Sequence, residues 1–137
     1  MTEQLVLDSW MLLAWLKDQA PGAGKMDELW HAAATRKVEL SASMVNIGEV
    51  FYLTARNKGL DAAEELLEHL HTRPLQFVSA SDRLVIEAAR LKAAYPISYA
   101  DAFAAATAMR ARCPLVTGDP EFRVLEKDGV IRLQWAG

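Results

Sequence analysis

Apolar residues fall in short runs that alternate with stretches of helical period. Leu5-Val6-Leu7 is an apolar run ending at Asp8, and it predicts a buried strand. From Ser9 to Lys17 the period changes, with Trp10, Leu13, Ala14 and Lys17 at helical spacing. Pro21-Gly22-Ala23-Gly24 predicts a loop, Lys25 to Thr35 a helix, and Val38-Glu39-Leu40 a small strand. Ser43 is placed to cap a helix from Met44 to about Asn57, which Gly59 stops. Leu66, Leu67 and Leu70 share a face of a helix from Leu60 to Leu70, and Pro74 separates it from a strand over Leu75 to Val78. Ser81 and Ser98 cap two further helices, one to about Ala94 and an alanine-rich one to about Arg112. Leu115-Val116-Thr117 is a strand, Gly118-Asp119-Pro120 a turn, and Val130 to Trp135 a last strand.

Strands and helices alternate from end to end, which predicts an α/β fold around a mainly parallel sheet. Ligand sites of such sheets lie at the carboxyl ends of the strands. The length of 137 residues fits one domain over residues 1–137. A composition of 52% hydrophobic and 24% charged residues is that of a globular chain. No run is long and apolar enough for a membrane helix. Met1 to Trp10 carries Glu3 and Asp8 and no basic residue, so it does not read as a signal peptide. Cys113 is the one cysteine and leaves no internal disulfide to form, which makes the cytoplasm the expected compartment. The net charge of −3 argues against a nucleic-acid partner, unless the acids gather around cations that reverse their local sign.

Most of the 18 acidic residues sit in polar or terminal stretches, or on wet helix faces as Glu64, Glu65 and Glu68 do. Four do not. Asp8 ends the first strand, Glu49 lies within the apolar stretch Met44 to Phe51, Asp101 opens a helix built for burial, and Asp119 follows the strand Leu115 to Thr117. Each has a plain structural reading: Asp8 as a helix cap, Asp101 as the partner of a Ser98 cap, Asp119 in a turn before Pro120, Glu49 paired with Arg56. A mid-helix Glu caps nothing, so the reading is weakest for Glu49. Taken together, four carboxylates at one sheet edge would not stay ionised without cations. Mg²⁺ or Mn²⁺, which prefer oxygen ligands, would meet that need. His31, His69 and His71 have no metal-site spacing and read as surface or boundary residues.

The segments carrying these acids are Leu5-Val6-Leu7-Asp8-Ser9, Asn46-Ile47-Gly48-Glu49-Val50, Tyr99-Ala100-Asp101-Ala102-Phe103-Ala104-Ala105-Ala106 and Leu115-Val116-Thr117-Gly118-Asp119-Pro120-Glu121-Phe122. By them the chain resembles the PIN-domain nucleases over essentially its full length, and within these the VapC-like toxins. The resemblance implies a three-layer α/β/α fold with a five-stranded parallel sheet in the order 3-2-1-4-5. It implies that Asp8, Glu49, Asp101 and Asp119 form the acidic metal-binding and catalytic set, Glu49 through water or by orienting the nucleophile. Ser9, Asn46 and Thr117 would be accessory polar residues, and Glu121 an outer acid.

The implied activity is hydrolysis of RNA phosphodiesters by an endoribonuclease using one or two Mg²⁺ or Mn²⁺ ions, with 5′-phosphate and 3′-hydroxyl products. The implied partners are RNA, a small antitoxin protein and a second copy of the chain in a homodimer. Two alternatives within the resemblance stay open: an RNA-processing PIN nuclease without an antitoxin, and a non-catalytic RNA-binding PIN module. Among the scattered basic residues, Arg123 is the candidate for RNA contact, because it follows Asp119 closely. Leu12, Trp15, Leu16, Tyr52 and Leu53 are candidates for an apolar surface that a dimer or an antitoxin helix would cover.

Overall fold

The computed structural model describes residues 2–137. Its sheet has five strands: β1 (Glu3–Leu7), β2 (Val38–Ser43), β3 (Leu75–Val78), β4 (Leu115–Thr117) and β5 (Leu133–Trp135). All neighbours pair in parallel, in the order β3-β2-β1-β4-β5, as the resemblance implies. The helices are α1 (Ser9–Leu16), α2 (Gly22–Ala34), α3 (Met44–Lys58), α4 (Leu60–His71), α5 (Asp82–Ala94), α6 (Tyr99–Ala111) and α7 (Arg123–Lys127), with a 3-10 turn over Pro120–Phe122.

Alternation along the strands builds two cores. Leu5 and Leu7 of β1 point into one, where Met11, Leu12, Met26, Trp30, Ile47 and Leu70 meet them from α1, α2, α3 and α4. Val6 points the other way, to Leu84, Ala88, Phe103 and Ala106 of α5 and α6. Successive strand side chains face opposite sides, so a strand covered on both faces must be apolar throughout. That is why Leu5-Val6-Leu7 has no polar interruption. Helix α6 is buried from Asp101 through Ala108. Its alanines have little bulk, which lets the helix lie close against the sheet while still excluding water.

Two elements differ from the sequence expectation. Gly22-Ala23-Gly24 is the first turn of α2 and no loop. A Cβ on Gly22 would stand 2.8 Å from the Ala14 Cβ and from the Trp10 ring, so tight packing on α1 sets the conformation there. The stretch after Asp119 holds the 3-10 turn and α7, and β5 begins at Leu133 where the expected strand began at Val130. No helix among the described residues is long and apolar enough to cross a membrane.

Candidate active site at the carboxyl edge of the sheet

The parallel register brings the first and last thirds of the chain together. Leu7 pairs with Val116, so the next positions, Asp8 and Thr117, stand side by side as both strands end. Asp8 is 1% exposed. Its Oδ1 accepts the Met11 N–H at 3.0 Å, which caps α1, and its Oδ2 accepts the Thr117 hydroxyl at 2.5 Å. The plain cap reading of Asp8 therefore holds, but it uses only one of the two oxygens. Thr117 Oγ1 in turn accepts the Asp119 N–H at 3.0 Å. Asp119 Oδ1 accepts the Glu121 N–H at 2.9 Å, and Glu121 Oε1 accepts the Ser98 N–H at 2.6 Å. Ser98 Oγ then accepts the Asp101 N–H at 3.1 Å as the cap of α6. A hydrogen-bonded chain so runs from β1 through β4 and the 3-10 turn to the start of α6.

Three carboxylates converge at the end of that chain. Asp101, Asp119 and Glu121 each offer an oxygen, and these atoms all lie within 4.8 Å of one another. Burial pushes the Asp8 carboxyl up to about 7, with the charge of Asp119 adding to it and the Thr117 and Met11 donors working against it. Asp101 rises to about 8, through burial first and then the charges of Glu121, Asp119 and Asp8. Crowded acids in a dry setting thus hold protons at neutral pH unless another cation takes their place.

Asn46 braces the opposite side. It is fully buried, and its Nδ2 donates to Ser9 Oγ at 3.0 Å and to the Ala100 carbonyl at 3.1 Å. These neighbours are the residue after Asp8 and the residue before Asp101. The Asn46 Oδ1 is buried with no hydrogen-bond partner. Glu49, one turn later on α3, is half-buried. It stands outside the group of three converging acids and forms no ion pair among the described residues. Arg56, its suggested partner, lies over the Tyr52 ring at 5.0 Å. The donor set fits a hard divalent cation: every converging ligand is an oxygen, the acids need a counter-charge, and an orphaned amide oxygen lies buried between the segments of Asp8 and Asp101. Among the described residues no histidine or cysteine joins the group.

Of the residues named from sequence, Asp8, Ser9, Asn46, Asp101, Thr117, Asp119 and Glu121 meet in one bonded neighbourhood. Sequence reading placed Glu121 at the periphery, but it stands in the converging group. Ser98 was read only as a cap, yet its N–H holds Glu121. No periodicity signals that backbone contact. Arg123 donates to Glu126 at 2.9 Å and stacks over the Trp135 ring at 3.8 Å. The suggested apolar surface is redistributed. Leu12 is fully buried in the core, whereas Leu16 and Leu53 line a groove of about 740 Å³ between α1, α3 and α4.

A sequence model described as PIN domain matches residues 5–128. No curated protein matches the chain by sequence. Among solved structures, VapBC2 from Rickettsia felis bound to a DNA fragment from its promoter has TM-score 0.76 at 15% identity, covering 98% of this chain and 99% of that one. DNA-bound VapBC from Salmonella typhimurium has TM-score 0.76 at 16% identity over 100% of both chains. The Mycobacterium tuberculosis toxin VapC20, described as cleaving the sarcin–ricin loop, has TM-score 0.71 at 17% identity, over 88% of this chain and 93% of that one. At these identities the likeness is one of fold.

Proposed function

Since the chain belongs to the PIN domain family, we propose that it is a divalent-cation-dependent endoribonuclease, and the toxin component of a toxin–antitoxin pair. The observation that carries the chemistry is the crowding of Asp8, Asp101, Asp119 and Glu121 at one sheet edge, where burial and neighbouring charge push Asp8 up to about 7 and Asp101 up to about 8. Gathering like charges in a dry setting costs free energy, and clustered acids with strongly raised values are candidates for a functional site. The toxin role is supported by the likeness in fold to VapBC proteins and to an RNA-cleaving VapC. On this reading residues 1–137 form one PIN domain that acts in the cytoplasm.

Asp101, Asp119 and Glu121 would hold the cation, with Asp8 tied to Thr117 beside them. Bound Mg²⁺ or Mn²⁺ supplies Lewis-acid polarisation of the phosphodiester and an activated water. The protein's own part is orientation. Both Asp8 oxygens already accept a donor, so the carboxylate cannot rotate away. Glu121 is fixed at one oxygen by Ser98 N–H, which leaves the other free. Asn46 ties the segment of Asp8 to that of Asp101. Glu49 would act through water or orient the nucleophile. Water attack leaves a 5′-phosphate and a 3′-hydroxyl.

An antitoxin segment would find a large open groove between α1, α3 and α4, with Leu13, Leu16, Leu53 and Leu66 on its walls and Lys17, Arg56 and Lys58 at its rim. The test of the activity is cleavage of total cellular RNA by purified protein with Mg²⁺ or Mn²⁺ and with EDTA, beside Asp8→Asn. Cutting that needs the metal and disappears in the folded variant is the expected result. Cutting at the wild-type rate by folded Asp8→Asn protein would reject the assignment.

A further inference from the structure

A cation held by the acids would serve the phosphate being cut, and phosphates on either side of it need positive groups of the chain's own. Several arginines are engaged with partners outside the acidic group. Arg83 pairs with Glu87 on α5, Arg110 donates to Ser81, and Arg132 donates to the Arg112 carbonyl. Arg123 is placed differently. It follows Glu121 by two residues. It is held by two groups at once: Nη1 donates to Glu126 Oε1 at 2.9 Å, and the guanidinium lies 3.8 Å above the Trp135 ring. Trp135 ends β5 in register with Thr117, whose hydroxyl donates to Asp8. The pair therefore stands one strand away from the acids, on the same edge of the sheet.

Trp135 is also exposed, at 36%, which is unusual for so large an apolar ring, while Trp30 is 5% exposed. An exposed ion pair alone contributes little to stability, and an indole left at the surface contributes less than one in the core. What the arrangement does achieve is rigidity. The guanidinium is held between Glu126 and the Trp135 ring, its side chain is 49% exposed, and one partner occupies one of its donors. Arginine has five N–H donors in a fixed fork, so an edge remains for an anion, and the entropy of ordering the side chain is already spent.

We propose that Arg123 grips an RNA phosphate beside the carboxylates, and that Trp135 is the positioning residue that holds its guanidinium in the gripping orientation. This rests on the ribonuclease reading of the same edge.

The experiment measures binding of a labelled single-stranded oligoribonucleotide in EDTA by fluorescence anisotropy. It compares wild type, Arg123→Ala, Trp135→Ala, the double variant and Trp135→Phe, with melting temperatures taken on each. Arg123→Ala should weaken binding by about tenfold, in line with loss of a charge-assisted contact. It should also flatten the salt dependence by about 0.7 in slope, the value for one phosphate on a single strand. Trp135→Ala should weaken binding in the same direction, add nothing in the double variant, and be rescued by Trp135→Phe. A purely structural Trp135 would instead give additive losses. Unchanged affinity and salt slope in folded Arg123→Ala, or additive losses, would overturn the proposal. Cleavage in Mg²⁺ is run alongside. Wild-type cutting with unaltered Arg123→Ala binding rejects the grip alone, while wild-type protein that neither binds nor cuts rejects the ribonuclease reading with it.

Discussion

At Thr117 one hydroxyl serves two acids, donating to Asp8 Oδ2 and accepting the Asp119 N–H. Thr117→Val keeps the shape and removes both bonds. It leaves a buried carboxylate oxygen without its donor, at a cost of about 1–3 kcal/mol. Urea melts should show that loss, and cleavage should fall with it because Asp8 and Asp119 are no longer tied. The titration of the acids has its own consequence. Asp8 and Asp101 carry folded-state values of about 7 and about 8, against an ordinary value of 3.8. Between these limits the folded protein keeps protons that the unfolded chain has released. Their contribution is therefore intact at low pH and is lost as pH rises through the folded values. Metal-free protein should melt higher near pH 5 than near pH 8, apart from general acid effects on the other carboxylates. Asp101→Asn, which cannot ionise, should shrink the difference. Identical pH profiles for the two proteins would count against the raised value at Asp101.

Among the elements, α6 shows how a cap and a site share one residue. Ser98 Oγ accepts the Asp101 N–H while its own N–H donates to Glu121. Ser98→Ala removes the first bond and keeps the second, so the cost should be about 1 kcal/mol, as for a lost helix cap. Differential scanning calorimetry reads the cost. Activity should drop as well, although Glu121 keeps its bond, because Asp101 lies in the first turn of the loosened helix. Most such elements were legible in the sequence, since caps at Ser43, Ser81 and Ser98 and apolar spacing are local signals. The departures come from contacts that are not local. Pro21 to Gly24 looks like a loop, but Gly22 is pressed against Ala14 and Trp10, and that contact begins α2 early. Helix α7 is five residues long, too short to display a helical period. The acids at the strand ends were legible for the same reason as the strands. The place of Glu121 was not, because it depends on a backbone N–H from Ser98, 23 residues away.

For the whole molecule, the balance of −3 gave the least guidance, because charge matters by where it gathers. Crowded acids at one edge make the folded protein a better cation ligand than the unfolded chain. Mg²⁺ or Mn²⁺ should accordingly raise the melting temperature, by an amount set by about 2.7 kcal/mol at a hundred times the dissociation constant. Asp101→Asn should lose most of that rise in thermal shift assays, and an equal rise in both proteins would place the cation elsewhere. The bonded chain of acids also sets a schedule for synthesis. Asp8 leaves the ribosome first, but its partner Thr117 lies 109 residues later, and Asp119 and Glu121 follow it. A nascent or prematurely terminated chain holds one half of the acidic edge and lacks the other. The complete acidic edge therefore exists only in chains translated past Glu121, and a product that stops before Thr117 should bind no cation there.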